Sequence, residues 1–490
     1  MSQLQAEAKP RDSTNKALAL FFRILAGPLA FFLVQAIPLA DLKTEAHFGL
    51  SCYAWILAWW VTMPIPWAVT GFLPLVLFPI FGVMPFAQVI PLYGQRVFPF
   101  LLGIMLFGHA FYKHGLARRM AMTVLSIPGV ATSGNGLILM ITVVSAVISA
   151  FVDDAAAVAI MIPIALSIAK FASEAYAGGK TPRLLEASCL ATLYGASAGG
   201  MATPAGVPFN PLTISLLDQL TGYKVSFAQW TLTGAILAAA TVPVYYLALR
   251  FMSPPEVKSI DGGAAYFSRE RKNLGPWNQG EKNVLFILVV MIVLWFSPAV
   301  ITIPGIDIWY VPPVAMVLLF VLPVNARTGE MTLDSKDFQN GVLWNVLFLV
   351  VSGTAMAGAL AALGITDWLS AIVAGGVSVS VLPWFAAAIT PILSHLTSGT
   401  ATTSMVSTIL FPLADNLGYN PAILARIIAG TALAVSFPWA GAAAATTFAS
   451  GAVGFGTMFR IGIVVTIFNA LIVSALSIAL VPALGAFTAP

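Results

Sequence analysis

Stretches of predominantly apolar residues recur along the whole chain, and they limit the fold more than any other feature. They fall near 17–40, 48–64, 67–90, 98–112, 116–128, 134–170, 184–222, 228–252, 283–301, 308–325, 341–363, 366–377, 379–414, 421–437, 440–456 and 458–487. About 20 such residues span a bilayer as a helix. The runs lack the alternation of membrane β-strands, so the expected fold is all-α and polytopic. Only 9% of the 490 residues are charged and 59% are hydrophobic, whereas a soluble domain carries about 25% charged residues. The length rule predicts roughly 11 full spans plus re-entrant hairpins. The first run reads as a retained helix, since no convincing cleavage site follows it.

Basic residues cluster at Lys9, Arg11, Lys16 and Arg23, at Lys113, Arg118 and Arg119, and at Lys258, Arg269, Arg271, Lys272 and Lys282. Such clusters favour the cytoplasmic face. The N-terminus is therefore expected inside, the tail "GAFTAP" outside, and the net charge of +4 calls for no nucleic acid. Trp59 and Trp60 read as interface anchors. Cys52 and Cys189 form no metal or disulfide pattern.

Three runs are interrupted inside the membrane: 134–170 at Asp153 and Asp154, 184–222 at "GGMATPAGVPFNP", and 379–414 at "SHLTSGT". The interruptions are related. Gly108 and Gly353 lie 245 residues apart (353 − 108), and so do Asp154 and Gly399 (399 − 154). Repeats with broken helices at matching places are the pattern of a secondary transporter, with its site near the midplane. The expected organisation is an N-terminal segment and first helix (1–47), a first inverted repeat (48–252), a cytoplasmic linker (253–282) and a second inverted repeat (283–490).

Ionisable groups at membrane depth mark function by default. Asp153 and Asp154 are adjacent carboxylates with no basic residue nearby in sequence. At least one needs a proton, or a cation must sit with them. At the matching break, Thr397, Ser398, Thr400 and Thr402 supply hydroxyls beside Gly399. His395 is a weaker candidate, as a proton site or a partner for an aspartate, against an ordinary structural histidine.

At these residues the chain resembles the divalent-anion:sodium symporter family of di- and tricarboxylate and sulfate carriers. The likeness covers about residues 48–488, through "GLARRMAM", "YGASAGGMATPAGVPFN" and the spacing of both breaks. It implies an inverted-repeat, elevator-type fold and a homodimer. The family's Ser-Asn-Thr tips read here as Asp153-Asp154-Ala155 and Ser398-Gly399-Thr400. Its Thr-Pro-Pro-Asn elements read as Val207-Pro208-Phe209-Asn210 and Gly441-Ala442-Ala443-Ala444. The family's two asparagine amides that contact substrate carboxylates, one at each Ser-Asn-Thr tip, are both absent here. The resemblance implies one cation site at Ser149, Asp153, Asp154 and Gly206, and a second at Ser394, Thr397, Gly399 and Ala440. It places substrate between Asp154, Ala155, Val207 and Pro208 on one side and Gly399, Thr400, Gly441 and Ala442 on the other.

The function expected is secondary transport of a small organic anion, di- or monocarboxylate-like, coupled to Na+ or H+ with no further cofactor. The alternative is a cation/proton antiporter, or a carrier of a zwitterionic or neutral substrate that meets the aspartates directly. Four histidines without a metal-ligand cluster argue against a membrane enzyme. The expected location is a bacterial inner or plasma membrane.

Overall fold

The computed structural model describes residues 10–39, 42–127, 132–174, 181–260, 263–299, 307–374, 378–433 and 435–484. Lys9 and the expected outward tail 485–490 lie outside the described residues. Two helices lead in, α1 (Pro10–Gln35) and α2 (Thr44–Thr62). The first half continues with α3 (Val97–Lys113), α4 (Leu116–Leu125), α5 (Gly134–Ser149), α6 (Asp154–Glu174), α7 (Pro182–Gly200), α8 (Phe209–Thr221) and α9 (Phe227–Met252). A polar helix in the linker, α10 (Gly263–Asn273), separates it from the second half. That half opens with α11 (Gln279–Phe296) and α12 (Val311–Val321). It then runs through α13 (Trp344–Ala362), α14 (Ile365–Ala374), α15 (Leu382–Leu396), α16 (Gly399–Asn416), α17 (Pro421–Thr431), α18 (Ala442–Ala449) and α19 (Phe455–Ala483).

Helix for helix, α3–α9 match α13–α19, and the packing repeats with them. Hairpin α5–α6 packs on α7, and hairpin α15–α16 packs on α17. Each half then reaches into the other: α8 lies on α16, α18 lies on α6, and α9 pairs with α19. The protein is thus an α-helical polytopic membrane protein built from two inverted repeats. Among the described residues a small antiparallel hairpin, β1 (Pro323–Asn325) with β2 (Glu330–Met331), departs from the all-α pattern.

Among the described residues eight helical segments are long and apolar enough to cross a membrane, fewer than the 11 the apolar runs suggest. The excess comes from apolar stretches whose helices are too short to span. Run 67–90 breaks into Trp67–Thr70, Leu73–Ile80 and Phe86–Val89, at Gly71–Phe72 and at Phe81–Pro85. Run 440–456 keeps only the eight residues of α18. The arm α5 and the half-helix α17 stop short of a full crossing.

Close helix contact in a membrane needs small residues. In "YGASAGG" a Cβ at Gly195 would sit 2.2 Å from the Thr142 carbonyl oxygen, and one at Gly199 would sit 1.9 Å from that of Ala146. These glycines seat α7 on the backbone of α5. Trp60 is fully buried, not an interface anchor. Its indole donates to the Trp67 carbonyl (3.3 Å) and Trp67 donates back to that of Trp60 (2.9 Å). Trp59 is half-buried and bonds the Ile24 carbonyl of α1 at 3.0 Å.

The later two basic groups share one face. Buried Arg119 pairs with Glu281 at 2.7 Å and donates to the Leu274, Gly275 and Pro276 carbonyls. Its guanidinium stacks 5.0 Å from the Trp277 ring centroid.

Candidate functional site

In the first half the chain leaves α5 at Ser149 and turns into α6 with Asp153 as its cap. The Asp153 carboxylate accepts the Ala155 N–H at 3.2 Å, and its carbonyl accepts that of Ala157 at 2.8 Å. Aspartate suits this position because it satisfies donors the first helical turn leaves open. Asp153 is only 9% exposed. Among the described residues neither Asp153 nor Asp154 forms a salt bridge.

The break between α7 and α8 is tied to this tip. The Thr203 hydroxyl donates to the Ala150 carbonyl, and the Asn210 amide donates to the Gly200 and Thr203 carbonyls at 2.8 and 2.7 Å. Gly206 has room for no side chain: a Cβ would lie 2.4 Å from the Gly200 oxygen and 2.8 Å from that of Ser149. The Ser149 hydroxyl beside them is fully buried without a hydrogen-bond partner.

The second half repeats the plan. Ser398 caps α16, accepting the Ala401 N–H at 3.1 Å. Ser394, 245 residues after Ser149 (394 − 149), also has a fully buried, unpartnered hydroxyl. Two matched hydroxyls lie idle beside unwound backbone whose carbonyls can ligate a cation. The symmetry extends one turn back: Ser145 and Thr390, also 245 residues apart (390 − 145), are likewise buried with unpartnered hydroxyls. Thr397 differs, since its hydroxyl already bonds the Leu393 carbonyl (2.9 Å) and the Thr402 hydroxyl (3.0 Å). His395 is structural. Its Nδ1 faces the Pro391 carbonyl at 2.7 Å and its Nε2 accepts the Ser436 N–H at 3.2 Å, which requires a neutral ring protonated at Nδ1. It pins the loop leading to α18.

Both tips open on one cavity of about 730 Å³. Asp153, Asp154, Ala155 and Pro208 line it from the first half, and Ser398, Gly399, Thr400, Ala440, Gly441 and Ala442 from the second. Gly399 is wedged in place: a Cβ would meet the Ala432 oxygen at 2.8 Å and the Phe209 ring at 3.0 Å. Gly441 faces open space. Of the residues expected to touch substrate, Val207 is turned into the protein instead, 1% exposed. Ser149, Gly206, Ser394 and Thr397 sit behind the wall, outside the lining.

The sequence reading passed over Trp67, Ser197, Asn345 and Trp439, which also line the cavity. "MPIPW", with two prolines inside an apolar run, was a usable signal for Trp67. It also missed Arg426, fully buried in α17. Its guanidinium donates to the Met201 carbonyl at the C-terminal end of α7 (2.5 Å) and lies 4.4 Å from the Trp230 ring centroid. It brings one positive charge from the second half to the break of the first, on the side where a helix end is negative.

Comparison with known proteins agrees with this geometry. The family described as "Sodium:sulfate symporter transmembrane region" matches residues 18–486. The chain is 28% identical over 477 residues to the sodium-dependent dicarboxylate transporter SdcS of Staphylococcus saprophyticus, covering 94% of this chain and 91% of that one. It is 29% identical over 469 residues to SdcS of Staphylococcus aureus strain USA300, covering 92% and 89%. Among solved structures, the YdaH transporter of Alcanivorax borkumensis aligns over 96% of this chain and 98% of its own with a TM-score of 0.54 at 13% identity, a likeness of fold. With the match running from α1 through α19, the chain belongs to the sodium:sulfate symporter family and is a membrane transporter, not an enzyme.

Proposed function

We propose that the protein carries out Na+-coupled secondary transport of a small organic solute recognised through a carboxylate. One observation carries this reading: both hairpin tips meet in a single cavity, and behind each stands a buried, unpartnered serine hydroxyl, Ser149 or Ser394. Unsatisfied oxygens of this kind suit Na+, and the start of α18, which has no side-chain cap, suits a carboxylate. The relatives named as sodium-dependent dicarboxylate transporters support Na+ as the coupling ion and an anionic group on the solute. Proton coupling has no such support.

In this reading the interlocked hairpins and half-helices move as one body past the remaining helices, in a homodimer of the bacterial inner membrane. The N-terminus and the linker 253–282 would face the cytoplasm, with the paired basic clusters on that side. The repeats would run over 48–252 and 283–490. The deciding experiment is uptake of labelled solutes into proteoliposomes under an imposed Na+ gradient. Uptake driven by inward Na+ and abolished by K+ replacement is expected. Uptake indifferent to Na+ but driven by a pH gradient would replace Na+ with H+.

A further inference from the structure

The cavity is polarised. Every charged side chain in its described lining is acidic: Asp153 and Asp154, both from the first repeat. Among the described residues Lys, Arg and His are absent from that lining. Asp153 is more than nine-tenths buried and has no salt-bridge partner among the described residues. The second repeat presents the opposite character. Gly399 and Thr400 begin α16, and α18 begins at Ala442 with no side-chain cap on its first N–H groups. Helix N-termini carry partial positive charge. Trp67, Phe209, Leu349 and Trp439 make up much of the remaining wall.

Resting on the transport reading above, we propose that the solute is a zwitterion: its ammonium meets Asp154 and its carboxylate meets the start of α16 and α18. An apolar α-amino acid is the chemical class that fits, its side chain lying against the aromatic wall. A dicarboxylate would bring two negative charges to a cavity whose two carboxylates already balance the Na+ proposed behind each tip, with no basic residue in the described lining to offset more. Charge balance also keeps a place for Na+. The ammonium offsets Asp154, the more open carboxylate; the Na+ behind the first tip offsets buried Asp153, and the Na+ behind the second offsets the solute carboxylate.

The test uses the purified full chain in NaCl and in KCl, with ligand binding read as thermal stabilisation and by titration. Probes are the twenty standard L-amino acids, glycine betaine, 4-methylpentanoate (leucine without its ammonium), 3-methylbutylamine (leucine without its carboxylate), succinate and sulfate. At least one apolar zwitterion is expected to bind in Na+, with its ammonium-free counterpart ten-fold weaker or worse. Asp154→Asn should weaken the zwitterion ten-fold or more while strengthening the carboxylate-only probe. If succinate or sulfate binds the wild type more tightly than every zwitterion in Na+, the proposal falls and Na+-coupled transport stands. If no probe binds in either salt, the transport reading falls and takes the proposal with it. Unchanged zwitterion affinity in a folded Asp154→Asn protein also overturns it, and the wild-type comparison decides alone if that variant does not fold.

Discussion

Ser149 and Ser394 are the residues to test first, because a mere packing role and a ligand role predict different results. A buried hydroxyl without a partner costs about 1–3 kcal/mol. Replacing it with alanine should leave the ion-free protein as stable or more so. If the hydroxyls ligate Na+, Ser149→Ala and Ser394→Ala should also raise several-fold the Na+ concentration that half-maximally stabilises the protein. Melting temperature against Na+ checks both at once, and an unaltered Na+ curve would make the serines incidental. Thr400 and Thr408 form a second contrast. Thr400 lines the cavity, whereas Thr408 spends its hydroxyl on the Ser404 carbonyl at 2.7 Å. Thr400→Ala should lose about 1.5–3 kcal/mol of solute binding, and Thr408→Ala little; equal affinities would remove Thr400 from the site. Asp153, Asp154 and Gly399 were legible in the sequence because each interrupts an apolar run. Arg426 interrupts "PAILARIIAG" in the same way and was open to the same reading. The hydrogen bond from Ser436 to His395 spans 41 residues, and no local pattern announces it.

At the scale of elements, the hairpins were legible and the number of crossings was not. Apolar periodicity reports burial, and in α5 or α17 burial is by protein as much as by lipid. The same hydropathy therefore serves a full span and a half-helix. The opening of α18 yields a prediction. Gly441 has extended backbone (φ −172°), and nothing lies within 4 Å of the position a Cβ would take there. Gly441→Val should fold normally yet lower solute affinity at least ten-fold by occupying the cavity, as titration would show. Normal affinity would move the solute away from α18. On the face holding Lys113, the short helix Ser335–Asn340 is anchored by Asp337, which accepts from Lys113 at 2.6 Å and contacts His109 at 2.9 Å. Burial pushes the Asp337 carboxyl up. Lys113, the Asp334 N–H and His109 outweigh it and hold the group down at about 2, against an ordinary 3.8. Its stabilisation is therefore complete above about pH 4 and is lost as pH falls toward 2. Asp337→Asn should flatten that part of the acid limb of melting temperature against pH; an unchanged limb would mean the anchor does not couple to unfolding.

For the whole molecule, the exchange of α8 onto α16 and α18 onto α6 matters most. Each hairpin is held by the other repeat's broken helix, so a cation bound behind one tip bears on the wall both tips share. The 245-residue offset revealed the repeats, but not this exchange, which depends on three-dimensional packing between distant segments. Coupling then has a direct electrostatic form. With Asp153 and Asp154 both ionised, a carboxylate entering the cavity is repelled, and low dielectric strengthens that repulsion. In the proposed reading Na+ at Asp153 would remove part of it, so wild-type solute affinity should rise with Na+. By linkage the solute should raise Na+ affinity by the same factor. Asp153→Asn supplies neutrality without the ion: the variant should still bind solute, with its Na+ dependence flattened. Asp154→Asn should keep the Na+ dependence and change which solutes bind. Titrations of both variants and the wild type across Na+ at two pH values separate these roles. A wild type that responds to neither ion would leave the aspartates as fixed charges for the solute alone, and coupling would have to be sought elsewhere in the protein.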